Sequence, residues 1–533
     1  MKKYLFGLIA VILISGLIFS GCAKQAPAPA PTPTKAPAPA PTGPQQGGIL
    51  KIIASPGLTN IGYPGKPYVS GNPGFARCAV EFLLNFDSKG TANVVPELAT
   101  TWKYSPDYKS LIFTLRKGVK FHDGTDFNAE AAKYNLDLHR SGFRSELRSI
   151  TSIDIVDDYT IRLNLSSYDS VLLVALGGMA GWIVSPTALK TMGDEAMLHP
   201  VGTGPFKFVS YQKDVSLKFE KFNGYWQKGK PYLDGIEFVF IKDPVTALLS
   251  FKAGEAQFIR SVSARDASEL QSKGNFTVAK YPTVAAGMAG DSAHPDSPFA
   301  DIKVRRAIAH AIDNAAIAKA VGAGFYEATN QFASRGAWGA VYNPAVAGYP
   351  YNPDKAKQLL TQANYPNGFS TTLTYTSTNA DQAAMFASVQ AYLSAVGINT
   401  KLDPADPARF TKLTVEGWKN QLVFFRTACA GGLNPAQAYR SSLNSKASSW
   451  DPKSIWIPED YDAKYWQMAA EPDPEKVRVM SQALSKIVTD DYCLAFPIYI
   501  EHGIFAYSPN VRDMDMYRYA TSEWLPENAW LSK

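Results

Sequence analysis

The sequence predicts an α/β protein with mixed sheets that folds as more than one lobe. Three observations lead there. Strand-like and helix-like segments alternate along most of the chain. The stretch from about Gly47 to Lys533 is too long for one ordinary hydrophobic core. An apolar segment and then a Pro-rich one precede that body and share none of its patterning.

In chain order, Lys2 and Lys3 precede an apolar run from Leu5 to Ile18, and Ser20-Gly21 brings small residues up to Cys22. This is the layout of a signal peptide over residues 1–21. Its ending resembles a bacterial lipobox, which implies that Cys22 is lipidated and becomes the first mature residue. The run is short for a membrane span, which needs about 20 apolar residues. Residues 22–47, and Ala26 to Pro44 above all, are dominated by Ala, Pro and Thr. Such a segment cannot bury enough surface to offset its ordering entropy, so it is expected to be a semi-extended tether. In polyproline II form it reaches on the order of 60 Å.

Pro96 to Glu130 reads as a supersecondary unit. Leu111, Phe113 and Leu115 alternate with Ile112 and Thr114, the period of a half-buried strand. Arg116-Lys117-Gly118 turns the chain, Val119 and Phe121 resume the alternation, and Asp123-Gly124 is a second turn. Asn128 is placed to cap a helix beginning at Ala129-Glu130. Further on, Asp301 to Val321 is expected to be one helix, with Asp301 at its N-cap and Val304, Ile308 and Ile312 on one face. Asn352-Pro353-Asp354 opens another helix, with Pro where a missing N–H costs nothing. A long helix over about 380–396 ends at Gly397, and Ile398, Thr400 and Leu402 then alternate as a strand.

Several chemistries find no support. Lys and Arg total 53 against 47 Asp and Glu, for a net charge of +6, and they are scattered, so no nucleic-acid partner is expected. The six histidines, at 122, 139, 199, 294, 310 and 502, show no ligand spacing and no CxxC appears, so no metal and no cofactor is expected. His122 reads as a turn residue. Gly224 to Lys230 approaches a phosphate-binding loop, but Pro231 stands where a hydroxyl is required, so a turn with packed aromatics is expected instead. No nucleophile elbow or triad order is present, and no enzymatic activity is expected. After Cys22, only Cys78, Cys429 and Cys493 remain, which allows one disulfide at most and leaves its pairing open.

Three segments carry a family resemblance. PELATTW with the RKGVKFHDG turn and capped helix is the first. Val201 to Trp226, with GTGPF and NGYW, is the second, and DIKVRRAIAHAID from Asp301 is the third. In this order they resemble the family 5 extracytoplasmic solute-binding proteins, the peptide- and nickel-type receptors of ABC importers. The resemblance implies a two-lobed, Venus-flytrap periplasmic-binding-protein fold. Lobe I would span 48–282 plus 495–533, with an inserted subdomain at about 75–190, and lobe II 283–494. Crossing strands would lie near Thr277 to Met288 and Cys493 to Ile500. It further implies a monomeric receptor outside the cytoplasm, lipid-anchored to the cell membrane, at the periplasmic face if an outer membrane exists. Such a receptor captures a small organic or peptide-like solute between its lobes and delivers it to an ABC permease with its ATPase.

In peptide-binding members, an aspartate in a context like W-x-A-D-Y-x-x-P pairs with the peptide ammonium. Counting back from Pro435, Gly431 stands in the aspartate's place, Gly432 in the tyrosine's and Ala428 in the tryptophan's. No acid lies between Gln421 and Ser449. An unpaired buried ammonium costs roughly 3–5 kcal/mol, so the expected cargo is not a peptide held by its free N-terminus. Arg426 is expected to fork onto a carboxylate or phosphate, and Trp338, Trp418, Phe424 and Phe425 to wall the cleft, with Gly431 leaving room. The alternatives are an oligopeptide receptor proper and a ligand-sensing receptor on the same scaffold.

Overall fold

The computed structural model describes residues 43–66, 73–87, 93–142, 144–335, 342–428, 443–445, 452–514 and 524–533. Pro44–Lys533 holds together as one unit and is considered by itself. Cys22, the tether up to residue 42, Trp338, Cys429, Gly431 and Gly432 lie outside the described residues. The last residues of the expected tether belong to the body instead, where the Gln46 amide donates to the Gly229 carbonyl at 3.0 Å and the Gly47 N–H to the Tyr232 carbonyl at 2.8 Å.

Its spine is an eleven-stranded mixed sheet. The order begins Phe206–Gln212, Ser216–Lys221, Gly235–Phe240, Ile49–Ala54 and Phe258–Ile259. Next come two long antiparallel strands, Phe496–Tyr507 and Thr277–Gly290, and then Gln421–Ala428, Phe369–Thr376 and Ile398–Ala405. The short strand Glu327–Ala328 pairs beside Phe496–Tyr507. The parallel neighbours Ile49–Ala54 and Gly235–Phe240 bury Leu50, Ile52, Ile236 and Phe238 in the core, while Ile49 and Lys51 face solvent at the start of the first strand.

The two long strands join separate cores. Ala279, Tyr281 and Phe505 pack with Leu50, Phe75 and Phe258 in the first lobe. Ala286, Met288 and Tyr499 pack with Phe386, Val389 and Phe424 on one face of the second lobe. Ala285, Ala289 and Ile500 face a further core with Phe332, Phe425 and Tyr465 on the other side. Between these regions the ladder bulges, as Pro282 pairs with His502 and Val284 with Glu501. Thr283 is left over, and its hydroxyl donates to the Glu501 carbonyl at 2.9 Å. Gly287 sits at a second irregularity, where a Cβ would lie 2.1 Å from the Phe496 carbonyl oxygen, so any side chain would force the strands apart.

A four-stranded antiparallel sheet, Ala99–Tyr104, Ser110–Leu115, Thr160–Leu165 and Ile150–Asp157, builds the additional subdomain with its own core around Phe113, Phe121 and Leu163. Asn128 caps the helix Ala129–Ser141 through its side-chain oxygen, which accepts from the Ala131 N–H at 3.0 Å. Val119 and Phe121 are buried but form no strand of their own; only the bridge between Lys120 and Asp126 continues the alternation.

Two expectations need correction. The segment after Asp301 is not one helix but two, Ile302–Ala311 and Asn314–Gly322. Ile312 turns extended and Asp313 caps the second helix, accepting from the Ala316 N–H, so an acid inside the apolar pattern restarts the helix. The second crossing strand starts later and runs further than expected, over Phe496–Tyr507, because its far half is needed to pair with Thr277–Tyr281. Cys78 and Cys493 are both buried free thiols, so they form no disulfide with each other.

Candidate functional site

The family-like motifs converge on scaffolding. Arg77 is 2 % exposed and bonds to Glu97 of the PELA segment, while its Nε donates to the Trp524 carbonyl at 3.3 Å. Glu81, also buried, accepts from Thr203 of GTGPF at 2.7 Å, from the Tyr225 hydroxyl at 2.9 Å and from the Trp226 indole at 3.0 Å. Burial, reinforced by the Glu97 charge, pushes the Glu81 carboxyl up to about 8. Burial opposes the Arg77 charge, but Glu97, with Glu527 and Glu81 behind it, outweighs this and raises its pKa. The phosphate-loop look-alike is therefore a turn whose two aromatics anchor a buried carboxylate, with Arg116 stacked 4.1 Å over the Trp226 ring.

His122 is likewise a turn residue. Its backbone N–H reaches Gly202 and its Nε2 contacts the Gly204 carbonyl at 2.9 Å, locking the FHDG turn onto GTGPF. Burial lowers its pKa to about 4. In the third motif, Arg305 donates to the carbonyls of Phe299, Ala300, Tyr492 and Cys493, satisfying the backbone where the second crossing strand is entered. Each of these side chains is engaged by the scaffold, with the buried Arg77 Nη1 and His122 Nδ1 the atoms left without a hydrogen-bond partner among the described residues.

A different group of polar residues sits where the crossing strands enter the second lobe. Arg426 pairs in register with Ala286, whose other neighbour is Tyr499; Val284 likewise lies between Ala428 and Glu501. Two-residue periodicity puts Arg426 on the face of Phe424, and Glu501 on the face of Tyr499. This is the face covered by the helix Ala380–Ser394. Arg426 lies beyond the covered part, near the carboxyl end of its strand, and is exposed. In open α/β sheets that end is where ligands gather. Asp381, in the first turn of the same helix, accepts a hydrogen bond from the Tyr326 hydroxyl, and the Tyr326 ring stacks on Tyr499 at 5.1 Å. Glu501 is half-buried. Burial and the Asp381 charge raise its pKa, and Arg426 draws it back. Among the described residues, neither the Glu501 carboxylate nor the Arg426 guanidinium has a hydrogen-bond or ion-pair partner.

Of the residues singled out in the sequence, only Arg426 reaches this surface among those described. Phe424 packs edge-on against Phe386, and Phe425 against Phe332 on the opposite face. Trp418 is 3 % exposed in the same core as Phe425. Their rings pack cores because consecutive strand residues point to opposite faces and both faces here are covered. Glu501, Asp381, Tyr326 and Tyr499 escaped the sequence reading. The family motif points to an acid within one segment, whereas these residues come from other elements, Glu501 lying 75 positions beyond Arg426. A polar residue inside the apolar run from Phe496 to Tyr507 was the one available signal.

Comparison with known proteins gives the family context. Residues 93–451 match the description "bacterial extracellular solute-binding proteins, family 5 middle". The glutathione-binding protein of Shigella flexneri is 31 % identical over 428 residues, covering 78 % of this chain and 82 % of that protein. The periplasmic binding protein DppA of Helicobacter pylori, solved with the peptide STSA, is 25 % identical with a TM-score of 0.76, covering 92 % of this chain and 99 % of that one. The fold is shared with NikA of Brucella suis in complex with Fe(III)-EDTA, at 24 % identity and a TM-score of 0.79, covering 90 % and 99 % of the two chains.

Proposed function

Because this chain belongs to the family 5 bacterial extracellular solute-binding proteins, the substrate-binding components of ABC importers, we propose that its own cargo is a small carboxylate-bearing, peptide-like solute gripped by Arg426. The observation that carries this reading is the exposed guanidinium without an ion-pair partner among the described residues, at the carboxyl end of Gln421–Ala428. An arginine fork matches a carboxylate in two parallel bonds. The similarity to glutathione-binding proteins supports a cargo of this size and charge. Capture between lobes joined by the bulged crossing strands would select a closed state that the permease reads.

The reading extends to a monomer anchored by a lipid on Cys22, with the residues from 22 to about 43 as tether, and to binding without catalysis. The lobe boundaries inferred from the sequence belong to the same proposal. Mass spectrometry of the ligand released on denaturing the freshly purified full chain tests the cargo, with calorimetry on Arg426→Ala beside it. A recovered organic acid whose affinity falls tenfold or more in the variant supports the reading. A cargo without an anionic group, bound equally by both proteins, would falsify it.

A further inference from the structure

The Arg426 face also presents acids, and they change what the cargo must look like. Gly431 replaces the aspartate that such a receptor uses for an ammonium group, yet the register of the crossing strands brings a carboxylate to the same neighbourhood from a different element. Glu501 sits one residue past the bulge, held there by the Thr283 hydroxyl on its carbonyl. Asp381 stands near it at the helix start, fixed by Tyr326, which is itself fixed by stacking on Tyr499. Arg426 completes the group from the third strand over.

The half-buried Glu501 carboxylate accepts no hydrogen bond from a described residue, so its oxygens stay free to receive a donor from outside the chain. The exposed Arg426 guanidinium, within electrostatic reach of it, is likewise unengaged by any described residue. The two do not satisfy each other, although their charges are opposite. A ligand carrying both charges would satisfy both at once.

We propose that Glu501, backed by Asp381, and Arg426 form a binding site for a zwitterionic amino-acid head, with the ammonium on Glu501 and the carboxylate on Arg426. The inference rests on the Arg426 reading above and adds the cationic half. It places the selection for an ammonium group on the crossing strand rather than at Gly431. Solutes with a free α-amino-acid head, such as the γ-glutamyl end of glutathione, meet the requirement; those with an acylated nitrogen do not. Tyr326 and Tyr499 are positioning residues, acting through Asp381 and through the strand.

Calorimetry on the full chain separates these outcomes, using reduced glutathione, free glutamate and free alanine as probes, each alongside its N-acetylated form. The expected result is that at least one free probe binds, that acetylation weakens it by about 30-fold or more, and that Glu501→Gln weakens the free probe similarly while leaving the acetylated one unchanged. Loss of both forms in Arg426→Ala checks the underlying reading separately. Equal binding of free and acetylated probes, or a free probe unaffected by Glu501→Gln, overturns the ammonium site while the Arg426 reading stands. Failure of all free probes to bind also overturns it. Because glutamine is isosteric and removes a poorly solvated charge, the variant is expected to fold and to melt at or above the parent temperature, so lost binding is not lost structure.

Discussion

Replacing Arg77 by methionine tests whether the buried charge network holds the subdomain onto the first lobe. Arg77 is the one cation named among three carboxylates, Glu97, Glu81 and Glu527, that act on it. Its removal leaves Glu97 with the Phe82 N–H at 2.9 Å and the Asn85 amide at 3.3 Å, and with no countercharge. It also strips the Trp524 carbonyl of its Nε donor and the Phe82 ring of a guanidinium 4.9 Å from its centre. Breaking one side of a buried pair costs roughly 3–5 kcal/mol, a large part of a typical domain stability of about 5–15 kcal/mol. Urea unfolding followed by tryptophan fluorescence reads the loss directly. The double variant Arg77→Met with Glu97→Met should recover most of it, because an apolar pair leaves no orphan charge. A single-variant loss below about 1 kcal/mol, or a double variant losing the sum of both singles, would refute the reasoning.

Other consequences are as direct. Glu81, raised from 4.5 to about 8 by burial and then by Glu97, contributes stability that is fully present below its free value and lost as pH rises through about 8. Glu81→Gln should flatten the alkaline side of a stability–pH curve. His122, His139 and His502 are pushed down to about 4, 3 and 4, chiefly by burial, so their contribution is present above about pH 6.5 and is lost as pH falls through those values. Melting temperature measured from pH 7 to pH 4 should fall, and His139→Gln should fall less. Arg305→Lys should destabilise by about 2–4 kcal/mol despite keeping the charge, because one ammonium cannot serve four carbonyls spread around a planar fork; equal urea midpoints would contradict this. At Gly202 a Cβ would lie 2.1 Å from the Ala79 carbonyl oxygen, so Gly202→Ala should cost about 3 kcal/mol or more by the same assay.

The sequence by itself determined the local pieces and the family they compose. Asn128, Asn352 and Asp301 cap helices in the structure and the Leu111 alternation is a strand, while the long helix stops at Ser394, two residues earlier than expected, and a turn through Gly397 leads to the next strand. Caps, turns and periodicity act within a few residues, so a linear reading suffices for them. It stumbled at Asp313, where an apolar stripe continues across a restarted helix, because periodicity does not register a change of axis. Tertiary structure alone decided what the motifs are for. Glu97, Thr203, Trp226 and Arg305 were legible as landmarks, but only folding shows their charges and donors consumed inside the scaffold.

The candidate site lies at the other extreme. Phe424 and Phe425 looked like cleft walls until strand pairing and helix cover assigned them to opposite cores. Glu501, Asp381 and Arg426, far apart in the chain, become neighbours through the register of three strands and one helix start. A binding surface is a set of charges left unpaired once every local requirement has been met. That remainder is defined only when all the elements are in place, which is why the sequence reveals the family and only the fold brings these three charges together.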